Sequence, residues 1–277
     1  MAKVWISVDV EPDISEHIED PSLGLEEGLP KLLDLFDDLS APVDFFVLGE
    51  VARVHARLIK TIVSRGHEVG SHGDTHRLLC TTTLRAQREQ IERSVRAISN
   101  VTALPVRIFR APNFSGDGNT IRVLEEVGIP YDSSVLPGRV LARLRVFKVY
   151  DHRRAPRSVY VPSKVDIDSG GTGLVLELPV TENPFQRGAP IGLGFLNSHS
   201  VQETVKALRT TKLDWVSFLI HPWEAVDLAA KRPDSPRWIS KACSRNLAPL
   251  RDFLTIMKMS DELVTFESIA RGMVARR

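Results

Sequence analysis

The spacing of apolar residues alternates between the period of a strand and that of a helix along most of the chain. Lys3-Val4-Trp5-Ile6-Ser7-Val8 is a short apolar run with β-branched residues that ends at Asp9, and it reads as a buried strand. Ser22 is placed to cap a helix in which Leu25, Leu29, Leu32, Leu33, Leu35, Phe36 and Leu39 recur at helical spacing. Residues 43–48 read as a second strand stopped by Gly49, residues 51–64 as a helix ended by Gly66, and residues 67–72 as a third strand. A helix over 83–99, a strand over 106–110, a helix over 119–127 and a short strand near Tyr131 follow. Regularity lapses over 136–200, rich in Pro, Gly and Arg, where only 174–178 reads clearly as strand. It resumes with a helix over 201–209, a strand over 215–220, a helix over 246–259, a strand over 263–266 and a closing helix from Glu267.

Repeated strand-then-helix units predict parallel strands with right-handed crossovers, hence an open doubly wound sheet or a barrel. The turn after the first strand is Asp9-Val10-Glu11-Pro12-Asp13, which lacks the glycines of a dinucleotide-binding sheet. Asp9, His72, Arg110, Asp132 and His221 fall at the carboxyl ends of strands, where a barrel keeps its reactive side chains. The expected fold is therefore α/β, a distorted (β/α) barrel. It spans residues 1–277 as a single domain, with a less regular insertion at about 136–200.

With 277 residues, 43% of them hydrophobic, the chain can bury a sizeable core. A net charge of +1 leaves no overall field to attract nucleic acid. The two cysteines, Cys80 and Cys243, form neither a disulfide framework nor a cysteine metal cage. The first apolar run is broken by Ser7, Asp9 and Glu11, and no stretch has the length of a membrane span, so the expectation is a soluble, cytoplasmic protein. Charge is nonetheless uneven: eleven acids and one base lie between Asp9 and Asp38, and seven bases and one acid between Arg139 and Arg157.

His72 and His76 form an i, i+4 pair able to aim both imidazoles at one ion. Asp9 and Glu11, two apart on a strand, put both carboxylates on one face. Arg110 ends an apolar strand and is expected to be buried only against a carboxylate. His221 follows the run Trp215-Val216-Ser217-Phe218-Leu219-Ile220 and precedes Pro222-Trp223, whose indole is a candidate stacking surface for a substrate or an ordinary core residue. Residues 191–195 read as a site-edge loop or an ordinary turn between apolar residues.

Together these segments resemble the polysaccharide deacetylase family, the NodB-homology type also called carbohydrate esterase family 4. Ser7-Val8-Asp9-Val10-Glu11 is similar to its first motif, in the branch that writes Asp-x-Asp/Glu. Phe45-Phe46-Val47-Leu48-Gly49 and the stretch from Gly66 to His76 resemble the next two blocks, Phe109-Arg110-Ala111-Pro112 the Arg-x-Pro motif, and Leu219-Ile220-His221 the late Leu-x-His motif. The resemblance covers residues 3–135 and 213–270 and fades over 136–200. It implies a distorted barrel and a hydrolase that removes an N-acetyl or N-formyl group from an amino sugar. Glu11, His72 and His76 would hold one divalent metal, Zn²⁺ by preference, with Fe²⁺, Co²⁺ or Ni²⁺ also suited to the donors. Asp9 would act as general base, paired with Arg110, and His221 as general acid. The backbone N–H of Asn113 would help bind the oxyanion, and Asp132 would take the place of the supporting aspartate.

Two features depart from the family pattern: Glu11 is one methylene longer than the more usual Asp, and the supporting aspartate has no clear counterpart. Competing expectations are a metal-free amidohydrolase of the same fold acting on a small ureide, and a non-catalytic carbohydrate-binding relative. The sequence carries no signal of oligomeric state. The basic segment 139–157 is expected to contact either the phosphate of a nucleotide- or lipid-linked sugar, and transiently a membrane surface, or acidic groups of the chain itself.

Overall fold

Alternation along the first strand decides where the chemistry sits. In a computed structural model, which describes residues 2–13, 22–143, 147–231, 237–260 and 262–274, β1 (Lys3–Val10) is buried at every position beyond Lys3. Val4, Ile6, Val8 and Val10 join the main core against the helices, whereas Trp5 joins a second cluster with Phe46, Ile108, Trp215 and Phe266. Both faces are covered, as a parallel barrel strand requires.

The remaining strands are β2 (Asp44–Val47), β3 (Glu68–Ser71), β4 (Ile108–Phe109), β5 (Tyr131–Asp132), β6 (Val140–Arg143), β7 (Phe147–Asp151), β8 (Leu176–Glu177), β9 (Glu182–Asn183), β10 (Gln186–Pro190), β11 (Trp215–Ile220) and β12 (Glu262–Val264). The main sheet runs β11-β1-β2-β3-β4-β5-β8, parallel throughout. β12 pairs with the first three residues of β1, beneath the four that pair with β2. Among the described residues, no full strand pairing between β8 and β11 closes the curl. Thr181 and Ser217 instead exchange two hydrogen bonds of 2.7 and 2.8 Å, and Leu219 N–H donates to the Ile191 carbonyl at 3.0 Å. This distorted barrel agrees with the expected fold. Residues 191–192 form part of the closure: a Cβ on Gly192 would lie 2.3 Å from the Leu219 carbonyl oxygen.

Helices cover the outside. α1 (Leu29–Leu39) buries Leu29, Leu32, Leu33, Leu35 and Phe36. It is preceded by a π-helical turn, Gly24–Gly28, whose N-cap is Leu23, which differs from the expected start at Ser22. The single helix expected over 51–64 is two, α2 (Gly49–Val54) and α3 (Ala56–Ser64), broken at His55. α4 (Leu84–Thr102) starts where Thr83 Oγ1 accepts from Ala86 N–H, and α5 (Gly118–Val127) starts at an Asp117 capping box. α6 (Leu193–Ser198) and α7 (Val201–Thr210) precede β11, and α8 (Leu228–Lys231), α9 (Arg237–Ala242), α10 (Ala248–Ser260) and α11 (Phe266–Val274) complete the chain.

The irregular segment contains two hairpins the sequence pattern does not reveal, β6–β7 and β9–β10. Phe266 opens α11 instead of ending a strand.

Candidate active site

Inward-facing positions rise through the barrel in layers. Trp5 and Phe46 form a floor, and the Arg110 guanidinium lies 4.0 Å above the Phe46 ring. Ser7 and Asp9 come next on β1: Arg110 Nη1 donates to Asp9 Oδ1 at 2.6 Å and to Ser7 Oγ at 3.1 Å. Its Nε and Nη2 donate to the Ser133 carbonyl and hydroxyl, so this fully buried cation is neutralised and hydrogen-bonded as burial demands.

Glu11 stands one step higher, with His72 just past β3. One ligating atom from each of Glu11, His72 and His76 lies within 4.8 Å of the others. Glu11 Oε2 is 2.7 Å from His76 Nε2 and 3.4 Å from His72 Nε2, and Asp9 Oδ2 is 4.0 Å from the same His72 nitrogen. His72 Nδ1 sits 2.9 Å from the Arg110 carbonyl, which can only accept. Nδ1 therefore donates, which leaves Nε2 as the ring atom available to a ligand on the Glu11 side. Two imidazole nitrogens and a carboxylate oxygen converging within 4.8 Å of one another are a donor set that fits a divalent ion. Burial pushes the Glu11 carboxyl up, but His76, His72 and His221 outweigh it and hold it well below the usual range.

His221 ends β11 with Nε2 3.8 Å from Glu11 Oε1. Its Nδ1 faces Glu224 Oε2 at 3.5 Å, and its backbone N–H donates to that oxygen at 2.8 Å. Burial disfavours the charged ring, yet Glu224, then Glu11 and Asp9, push it up to about 9. The carboxylate against this histidine is thus Glu224, not Asp132 as the family pattern suggested. Asp132 accepts from Ser134 Oγ at 2.5 Å and lies beside Glu177, whose carboxyl burial and Asp132 push well above its usual range. The reason is positional: β1, β2, β3 and β4 separate β5 from β11 in the sheet, while Glu224 caps the turn that follows His221. The His221-Pro222-Trp223-Glu224 spacing, a capping box with Pro at its first helical position, is the sequence signal that identifies it.

Asn113 lines the same cavity, and both it and Phe114 adopt the left-handed conformation, φ 52° and 57°. Such values are uncommon for a bulky residue and need support. Tyr150 Oη donates to the Asn113 carbonyl, and His152 Nε2 to the Phe114 carbonyl at 2.8 Å. His152 Nδ1 meets Asp168 Oδ1 at 2.6 Å, and Arg139 Nε donates to Tyr150 Oη at 3.0 Å. All four supporting residues belong to the irregular segment, and periodicity gives no sign of them.

Trp223 lines the cavity too, but its face is stacked on the His221 ring at 5.1 Å, so it is not open to a sugar. Lys148 and Arg153 both pair with Asp151, and Arg157 pairs with Glu182. Arg139 lines the cavity. Arg145 and the Arg143 side chain lie outside the described residues, as do Glu16, Glu19 and Asp20 of the acidic stretch. The cavity holds about 890 Å³. Among the described residues, no helix is long and apolar enough to cross a membrane.

Residues 3–131 match the family model described as polysaccharide deacetylase. A peptidoglycan deacetylase of Helicobacter pylori is 31% identical over 121 residues, 43% of this chain and 41% of that one. A chitooligosaccharide deacetylase of Sinorhizobium fredii is 37% identical over 86 residues, 30% of this chain and 39% of that one. The chain thus spans about two fifths of the length of these relatives. A Mycobacterium smegmatis structure assigned as a polysaccharide deacetylase superimposes with a TM-score of 0.65 at 21% identity, covering 99% of this chain and 91% of that one. Puue allantoinase superimposes with 0.63 at 16% identity, covering 98% and 89%. Such low identities speak to the fold alone. Sequence match and barrel agree: over residues 3–131 this chain is similar to the polysaccharide deacetylase family.

Proposed function

We propose that this protein is a metal-dependent hydrolase that removes the N-acetyl group from an amino-sugar chain. The observation that carries the reading is the placement of Asp9 and His221 on either side of Glu11, His72 and His76 in one cavity. Glu11, His72 and His76 would hold the ion, Zn²⁺ before Fe²⁺, Co²⁺ or Ni²⁺, which supplies Lewis acidity to the acyl carbonyl and lowers the pKa of water.

Asp9 is the general base. Arg110 holds Oδ1, leaving Oδ2 to take a proton from the attacking water. As the water oxygen bonds to the amide carbon, charge gathers on the carbonyl oxygen, and the Asn113 N–H is the protein donor we assign to it. His221, kept protonated by Glu224, passes its Nε2 proton to the amine as the C–N bond breaks. Acetate and the free amine leave. Asp132 and Glu177 act beneath, fixing the 133–135 turn on which Arg110 rests: Glu177 Oε1 accepts from Val135 N–H at 3.0 Å.

A nucleotide- or lipid-linked substrate loses support, because Asp151 and Glu182 already engage three of the cations expected to meet its phosphate. The names of the relatives matched in sequence favour acetyl over formyl and a sugar chain over a small ureide. The test is metal content of the purified protein together with acetate release from N-acetylated oligosaccharides, with and without chelator. Chelator-sensitive release is expected. Hydrolysis indifferent to chelator would point to metal-free amide chemistry, and bound metal without hydrolysis to a carbohydrate-binding protein.

A further inference from the structure

A separate recess lies where the barrel closes without a full strand pairing. Val180 and Thr181, the β9–β10 hairpin, and the end of α7 with Leu213 line it. It holds about 410 Å³, within the range of small-molecule sites, and among the described residues it shares no lining residue with the cavity that contains Asp9 and His221.

Its polar groups fall into two sets of opposite character. The hairpin side supplies donors. Glu182 is already occupied there, Oε2 accepting from Arg157 and Oε1 from Gly188 N–H at 3.0 Å. Arg187 has no ion pair among the described residues, so this side keeps one positive charge without a counter-ion. Asn183 is 1% exposed: its Oδ1 accepts from Phe185 N–H at 2.9 Å, and its Nδ2 finds no acceptor among the described residues. A buried donor left without an acceptor is costly, so a ligand oxygen that meets it is favoured. The helix side supplies acceptors. Thr210 and Thr211 spend their hydroxyl protons on the Lys206 and Leu208 carbonyls, at 2.7 Å each, so their oxygens can only accept. They also stand at the carboxyl end of α7, where the helix dipole favours a positive group. Val180, Pro184 and Leu213 add apolar surface.

We propose that this recess is a second binding site, for a small organic acid that also carries an amino or hydroxyl donor. The carboxylate meets Arg187 and Asn183 Nδ2, the amino or hydroxyl group meets Thr210 and Thr211, and the carbon chain lies on the apolar residues. A guanidinium fork suits a carboxylate, and a single unpaired cation matches its single charge better than the two charges of a phosphate monoester.

The probes are ε-aminocaproate, hexanoate and hexylamine, with inorganic phosphate alongside, their affinities read by calorimetry on the purified protein. The amino acid should bind more tightly than hexanoate, and hexylamine should not bind. Arg187→Gln, at an exposed position, should weaken ε-aminocaproate at least about tenfold, the scale of a lost hydrogen bond to a charged group. Asn183→Asp keeps the acceptor for Phe185 and replaces the donor by an anionic oxygen, so it should abolish binding. Arg187→Gln should leave acetate release from N-acetylated oligosaccharides unchanged. Binding that neither substitution weakens, with the acid competing against the oligosaccharide, would put the carboxylate in the active-site cavity and overturn the second site. Equal affinity for all three organic probes, tighter binding of phosphate, or no binding at all would overturn it too.

Discussion

Asp9 has its two carboxylate oxygens in different surroundings, Oδ1 held by Arg110 and Oδ2 facing His72. Replacing Asp9 by Asn keeps the shape and removes the base, so turnover should fall at least about 100-fold with metal content unchanged. Undiminished turnover would reassign the proton transfer. Arg110→Met should act on stability instead: leaving Asp9 buried without its partner costs about 3–5 kcal/mol, visible as an earlier urea midpoint. Glu224→Gln tests the third assignment. Without that negative charge the His221 imidazolium is less favoured, so the alkaline limb of the rate profile should move to lower pH than in wild type. An unmoved limb would mean that Glu224 does not tune His221. The grouping of Asp9, Glu11, His72, His76 and His221 is legible in the sequence through motifs that resemble one family; strand-end positions and the four-residue histidine spacing agree with it but do not establish it alone. Glu224 is legible only through its capping spacing. Tyr150 and His152 act across 37 and 38 residues on backbone carbonyls, and no local pattern records that.

Legibility at the scale of elements follows how strongly each is amphipathic or buried. β1, α4, α5 and β11 emerge close to their expected bounds, since a continuous buried apolar run or capping residues mark them. The break at His55 leaves the apolar spacing on either side in phase, so periodicity cannot register it. β9–β10 hides for another reason: Gln186–Pro190 buries no residue and has no alternation to read. The β6–β7 hairpin yields a prediction. Tyr150→Phe keeps the ring but leaves the Asn113 carbonyl without its donor, so turnover should fall about tenfold with KM for an N-acetylated oligosaccharide little changed. A change confined to KM would mean that the hairpin shapes only the binding wall. Gly192 yields another: alanine there forces its Cβ against the Leu219 carbonyl, and overpacking of this kind costs about 1–3 kcal/mol, checked by denaturant unfolding.

On the scale of the whole molecule, the closed end of the barrel and the open end respond to different titrations. Asp44 is buried beneath Trp5 and accepts from the Trp5 indole and from Phe266 N–H at the start of the last helix. Burial pushes its carboxyl up to about 7 despite those bonds. Between its ordinary value near 4 and about 7, the folded protein holds a proton the unfolded chain has lost. Stability contributed by this group is therefore complete below that window and falls as pH rises through it, by at most about 1.4 kcal/mol per unit. Asp44→Asn should flatten that part of the stability profile, and an unchanged slope would assign it to other carboxyls. The open end should answer to chelator: a bound ion adds stability by mass action, so removing it should lower the melting temperature of wild type but not of His76→Ala.

The bonds from Tyr150 and His152 to the Asn113–Phe114 turn bear on how this protein can be re-engineered or diverge. Residues 136–200 supply one side of the cavity and also the braces of a backbone turn that belongs to the family-matched region. They are therefore not a free cassette. A chimera that takes this segment from a relative with another sugar preference would import new walls and lose the braces together, unless counterparts of both side chains travel with it. Change in substrate choice is most readily tolerated at Leu141, Val149 and Trp238, which face the cavity and carry no bond to that turn.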